Sequence, residues 1–228
     1  MSDFLLFTAG FFIALFVVWK LSKEKLYSER VIFDTVILTS IFAAIGSRIF
    51  YVLFHLDNFG FNILKWVVVG LYPGLSIGGA LLGAGIALWI VSDKKTVVPF
   101  PELVDVITRA FLWVVSVPLL GFLFISPEKG QADHPITLYR LVNTLIVLSS
   151  MAAIFNRKRR LAPGTYSAIA WLLFVIGYLL IDFFNAHDVY YWKLSLDQWV
   201  YSVFILIITI ILLFQIKQKA FFQHKKII

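Results

Sequence analysis

Residues 41–54 read Ile41-Phe42-Ala43-Ala44-Ile45-Gly46-Ser47-Arg48-Ile49-Phe50-Tyr51-Val52-Leu53-Phe54, an apolar run that carries one guanidinium near its end. With the apolar residues before it, the run reaches back to position 32 and exceeds the roughly 20 residues that a helix needs to cross a bilayer core. It therefore reads as a membrane-spanning helix. A guanidinium at membrane depth costs roughly 3 kcal/mol on insertion scales and keeps its proton. Arg48 thus either faces an anion or carboxylate in the protein interior or snorkels to the outer headgroups from one turn inside.

The rest of the chain agrees with this reading. Of its 228 residues, 61% are hydrophobic, 17% aromatic and only 14% charged. The mean hydropathy of +0.90 lies far outside the range of soluble domains. The chain is expected to be one integral membrane domain over residues 1–228, all-α and polytopic. The absence of cysteine excludes disulfides, a thiol nucleophile and a cysteine-based metal site. No metal and no cofactor are expected. The first apolar run has no positive n-region and is followed by lysines instead of a small-residue cleavage site, so it reads as a retained helix.

Seven apolar runs fit the bilayer ruler: 4–21, 32–54, 64–92, 103–126, 137–155, 165–186 and 197–216. The third is overlong and broken at Tyr72-Pro73-Gly74, with a glycine-rich second half. A broken backbone at membrane depth must lie against protein or a wet cavity, and small residues allow close helix approach. Connections on one side hold Lys20, Lys23, Lys25, Arg30, Lys94, Lys95, Arg157, Lys158, Arg159, Arg160, Lys217, Lys219, Lys225 and Lys226, fourteen of the twenty basic residues. The opposite connections hold Lys129 and Lys193. The positive-inside rule then predicts an outside N-terminus and a cytoplasmic C-terminus. Most of the net charge of +7 is membrane-surface charge, and no nucleic-acid partner is expected. Aromatic residues at Trp19, Trp66, Tyr190, Tyr191, Trp192 and Trp199 suit the two interfaces.

This topology puts a set of polar residues in the outer half of the membrane. Arg48 and Tyr51 lie late on an outgoing helix, His134, Tyr139 and Arg140 early on an incoming one, and Asp182 late on another outgoing one. Ser76, after the break, joins them. Asp182 is expected to neutralise Arg48 or Arg140 as a structural ion pair. His134, before Pro135 at a helix entrance, is either a capping group or a base, and Tyr139 is either an interfacial anchor or part of a site. Asp105 and Arg109, four residues apart near the inner end of the fourth helix, are expected to form a structural ion pair on one face.

Taken in order, these motifs resemble the bacterial prolipoprotein diacylglyceryl transferase family. The resemblance rests on the residues 46–54, on Gly74-Leu75-Ser76 with Gly79 to Gly83, on His134-Pro135-Ile136-Thr137-Leu138-Tyr139, on Asp182-Phe183-Phe184 and on Asp197-Gln198-Trp199. It covers most of the chain. It implies a seven-helix protein of the bacterial inner membrane with its N-terminus outside. It further implies chemistry that moves a diacylglyceryl group from phosphatidylglycerol to the lipobox cysteine of a preprolipoprotein at the outer face.

The departures from the family pattern are as informative as the matches. Where the family writes Gly-Gly-Met-Ser-Phe-His-Gly-Gly, Gly78 stands at its histidine. Where it writes Gly-Arg-x-Gly-Asn-Phe-x-Asn-Gly-Glu, Leu119 stands at the arginine, Phe122 and Ile125 at the asparagines and Ser126 at a glycine, while Gly121 survives. Where it writes Arg-Phe-x-x-Glu-Phe-x-Arg, Tyr178 stands at the first arginine, Asp182 at the glutamate and Asn185 at the last arginine. Arg140 replaces the glutamate that closes the His-Pro motif. The periplasmic insertion between the fourth and fifth helices shrinks to about ten residues, 127–136, and the family's lead-in before the first helix is missing.

Leaving-group stabilisation calls for clustered cationic donors and thiol activation for a base, each worth roughly 10² to 10⁴ in rate. Several such groups are gone together. The expected function is a catalytically degenerate transferase-like subunit of a cell-envelope complex that holds phospholipid or binds a lipoprotein or another subunit. Arg48, Tyr51, Ser76 and Arg140 are the expected headgroup contacts. One alternative is a divergent active transferase using His134, Tyr139 and Arg48. A second is a small transporter, for which the inner half offers only Asp34, Asp105 and Arg109.

Overall fold

The computed structural model of the chain describes residues 2–25, 28–68, 71–72, 74–93, 99–125, 127–156, 162–185 and 190–224. Lys94, Lys95, Arg157, Lys158, Arg159, Arg160, Lys225 and Lys226, most of the expected cytoplasmic charge, lie outside the described residues, as do Pro73 and Ser126. The elements are α1 (Ser2–Lys25), α2 (Glu29–Phe54), α3 (Leu56–Phe59), α4 (Ile63–Val67), α5 (Ile77–Asp93), α6 (Phe100–Ile125), α7 (Ile136–Asn156), α8 (Thr165–Asp182), β1 (Tyr190–Tyr191), β2 (Leu194–Ser195) and α9 (Leu196–His224). Each apolar run of the sequence carries a helix. In the overlong third run the long helix begins only at Ile77, after the short α4.

Among the described residues, five helices are long and apolar enough to cross a membrane: α2, α6, α7, α8 and α9, while α5 is a shorter apolar helix. Their outer faces are greasy. On α9, Leu206, Ile210, Leu213 and Phe214 are all exposed, the inverse of a soluble helix and what lipid requires. The chain is an all-α polytopic membrane protein.

Its contacts divide it into two compact units, residues 22–103 and residues 1–21 with 104–228. In the first, α5 packs along α2 through glycines. A Cβ on Gly46 would come within 2.5 Å of the Gly79 carbonyl oxygen, and one on Gly83 would overlap the Phe42 carbonyl. Because lipid offers no hydrophobic drive between helices, such backbone proximity supplies the packing. The entrance of α5 is fixed by Ser76, whose amide donates to the Ser47 carbonyl at 3.2 Å and whose Oγ accepts from the Gly79 amide at 3.4 Å.

In the second unit α8 packs against both α7 and α9, around Leu112, Val147, Met151, Phe174, Tyr178 and Tyr201. Pro118 inside α6 cannot donate to the Val114 carbonyl four residues back. Gly10 of α1 lies against that freed carbonyl, which a Cβ would approach to 3.0 Å. The start of α9 is a capping box. Ser195 Oγ accepts from the Gln198 amide at 3.2 Å, and Gln198 Oε1 accepts from the Ser195 amide at 3.0 Å. The hairpin before it turns through Trp192 and Lys193, with φ of 52° and 69°, left-handed values that L-residues adopt at a cost.

Candidate functional site

Arg48 is 8% exposed. In place of an anion it binds three backbone carbonyls. Its Nε donates to the Trp66 carbonyl at 2.6 Å, its Nη1 to the Gly74 carbonyl at 2.9 Å and its Nη2 to the Lys65 carbonyl at 2.7 Å. Residues 65 and 66 end the short α4, where carbonyls have no helical donor. Phe59 covers the guanidinium, whose carbon lies 5.0 Å from the ring centre. The planar fork of arginine is therefore spent on holding the segment that follows α2. Each of its three nitrogens has a backbone acceptor.

Tyr51, the second expected headgroup contact, serves the same local structure. It stacks on His55 at 4.2 Å and meets Phe59 edge-on at 6.0 Å. Its ring fills the space a side chain at Gly74 would need, and Gly74 has a φ of 140° that also demands glycine. Ser76 is buried at the entrance of α5, with the capping bond described above.

In the other unit the start of α7, the end of α8 and the short connection before α7 carry His134, Tyr139, Arg140 and Asp182. His134 Nδ1 and the Tyr139 hydroxyl are 3.1 Å apart, and Phe184 packs 4.7 Å from the His134 ring. The connection is pinned in place. Gly130 donates to the His134 carbonyl at 2.8 Å, Gln131 to the Phe184 carbonyl at 2.8 Å, and Glu128 to Thr137 Oγ1 at 2.7 Å. That last bond sets the Glu128 carboxylate beside α7, where it forms an ion pair with Arg140. Arg140 also lies 5.9 Å from the Tyr178 ring centre.

Asp182 accepts from Ser195 Oγ at 3.0 Å and so anchors the start of α9 to the end of α8. Arg140 has its ion pair with Glu128, and Asp182 meets the hydroxyl that caps α9. Asp105 is buried. It accepts from the Gly164 amide at 3.0 Å and the Ser167 amide at 2.9 Å, a carboxylate seated on the N-terminus of α8. Arg109 lies 4.4 Å from the Tyr166 ring centre.

Tyr178 is buried. It stacks on Phe174 at 4.4 Å and meets Tyr201 at 6.3 Å. Glu128 and Ser195 escape the sequence reading for different reasons. The Ser195-to-Gln198 spacing is a legible capping signal, whereas nothing local ties Glu128 to a residue twelve positions on. Among the described residues no group of three histidine, aspartate or glutamate side chains is arranged to hold a metal.

A bundle of lipid-facing helices with a polar cluster at one end of α7 and α8 defines a multi-pass membrane protein. The family model for prolipoprotein diacylglyceryl transferase matches residues 4–215, and the chain belongs to that family. It is similar to the phosphatidylglycerol–prolipoprotein diacylglyceryl transferase of Finegoldia magna, with 24% identity over 94% of this chain and 90% of the relative. The enzymes of that name from Streptococcus sanguinis and Streptococcus pneumoniae are 22% and 23% identical, each over 92% of this chain and over 89% and 88% of their own lengths. Like other members of this family of membrane enzymes, it is a protein of the bacterial inner membrane.

Proposed function

We propose that this chain is a catalytically degenerate member of its family, an inner-membrane subunit that holds phospholipid or a lipid-anchored partner without transferring the diacylglyceryl group. The observation that carries this reading is Tyr178. A position that the family pattern fills with a cationic donor holds a buried phenol in an aromatic stack, which offers no charge to a departing glycerol phosphate. Removing one such donor typically costs about 10² to 10³ in rate, and the apolar replacements at Leu119, Phe122 and Ile125 compound it.

The test is an assay of the purified protein with labelled phosphatidylglycerol and a lipobox peptide. No transfer above a protein-free control is expected, while phospholipid leaves the membrane with the protein. Transfer that His134→Ala abolishes would overturn the reading. The envelope partner is expected to appear by mass spectrometry after mild extraction; a lone, lipid-free chain would count against any holding role.

The contact between His134 and Tyr139 favours one second reading, a divergent active transferase. His134 would take the proton of the incoming thiol, oriented by the Tyr139 hydroxyl, as the thiolate displaces glycerol phosphate. Tyr139→Phe would then slow transfer in the same assay.

The topology belongs to this proposal as well: seven spans, with α1 and α5 joining α2, α6, α7, α8 and α9, an outside N-terminus and a cytoplasmic C-terminus. Because the chain has no cysteine, single cysteines introduced at Asn58 and Arg159 report it cleanly. An impermeant maleimide applied to intact cells should label the first and spare the second; the opposite pattern inverts the topology.

A further inference from the structure

The two outer arginines differ in what they leave unused. All three guanidinium nitrogens of Arg48 donate to carbonyls. Arg140 uses Nη1 alone, on the Glu128 carboxylate, and among the described residues its Nε and Nη2 have no hydrogen-bond partner. Its side chain is 23% exposed, and that of Glu128 is 47% exposed. Nε and Nη2 form one edge of the fork, the edge that matches two oxygens of a phosphate or carboxylate in a bidentate pair. The Tyr178 ring lies beside the guanidinium and limits its movement.

We infer that the Nε–Nη2 edge of Arg140 is a receptor for an anionic phosphate group, and that Glu128 is a built-in counter-charge that weakens it. This rests on the lipid-holding reading above and narrows it to one arginine. Thr137, Arg140 and Thr144 lie on one face of α7, three and four residues apart. The Glu128 amide bond to Thr137 and the Thr144 hydroxyl bond to the Arg140 carbonyl, at 2.8 Å, keep that face ordered. A phosphodiester arriving at the open edge meets a cation already held in position. It also meets the charge of Glu128 across the same guanidinium, which opposes it. Removing that charge should strengthen binding, and a gain of binding cannot come from a damaged fold.

The experiment places the full-length protein in nanodiscs of phosphatidylglycerol mixed with phosphatidylcholine, then measures the lipid retained after transfer to detergent. The wild type should retain phosphatidylglycerol in preference. Glu128→Gln should raise that preference by about two- to fivefold, the range of a partly exposed ion pair, and Arg140→Gln should reduce it by about tenfold, the loss of charge-assisted hydrogen bonds. Arg140→Lys keeps the charge but not the two-pronged edge and should fall between. Added inorganic phosphate separates the two sources of the anion: displacement at millimolar concentration means that the edge takes the free ion, and no displacement means that it needs the lipid. Both outcomes keep the phosphate site. Retained preference in Arg140→Gln, or a drop in Glu128→Gln, overturns the inference while lipid holding stands. A wild type that retains no phospholipid of either class overturns the lipid-holding reading itself.

Discussion

Replacing Arg48 by lysine keeps the positive charge and most of the side-chain length, but it removes the planar fork. Arg48 reaches three carbonyls in two separate stretches, Lys65 and Trp66 at the end of α4 and Gly74 before α5. A lysine ammonium is a point charge and cannot span that set. Two of the three bonds are lost. Hydrogen bonds to charged groups contribute roughly 1.5–3 kcal/mol each. The freed carbonyls lie in a part-buried segment next to exposed residues and recover some of this from water, so the expected loss is about 2–4 kcal/mol. That is a large share of a total stability of roughly 5–15 kcal/mol. Equilibrium unfolding of purified Arg48→Lys in mixed micelles measures the loss. Limited chymotrypsin digestion localises it, because Phe61, Leu71 and Tyr72 are exposed in the tethered stretch and should be cut faster in the variant. If Arg48→Lys matches the wild type within about 0.5 kcal/mol and resists the protease equally, the tether argument is wrong and Arg48 serves through its charge alone.

Further outcomes follow from the same geometry. Gly79→Val should break the α2–α5 contact, costing about 1–3 kcal/mol or more, because the new Cβ would overlap the Gly46 carbonyl. Gly85→Ala, where nothing lies within 4 Å, should leave the melting temperature unchanged or slightly higher. Ser195→Ala removes both the α9 cap and the hydroxyl that Asp182 accepts, and a denaturant titration should show a loss of about 1–2 kcal/mol. Tyr178→Arg, which puts an arginine where the proposed function takes the family to hold one, should destabilise by roughly 3–5 kcal/mol as a charge enters an aromatic stack. It should not switch on transfer from phosphatidylglycerol; a stable, active variant would mean that the surroundings of Tyr178 still fit the chemistry.

Several elements are legible in the chain before any coordinates. The lipid-facing helices announce themselves because length and apolarity are local properties, and the glycines of α5 mark close approach because only a missing Cβ permits it. The order of motifs is readable as the family resemblance, which the match over residues 4–215 bears out. His134 lies just before α7 and meets Tyr139, five residues on, across its first turn. The partners of the charged groups are another matter. A charge in an apolar run states that it needs compensation, not what will supply it.

The sequence by itself therefore determined that this is an all-α membrane protein of the prolipoprotein diacylglyceryl transferase family. Only the tertiary structure decided that Arg48 answers to three carbonyls, that Arg140 takes Glu128, and that Asp182 and Asp105 hold the starts of α9 and α8. The physical reason is that membrane insertion depends on the hydropathy of one segment at a time. An electrostatic partner depends on which loop returns to which helix end, and a backbone carbonyl satisfies a guanidinium as well as a carboxylate while leaving no mark in the sequence.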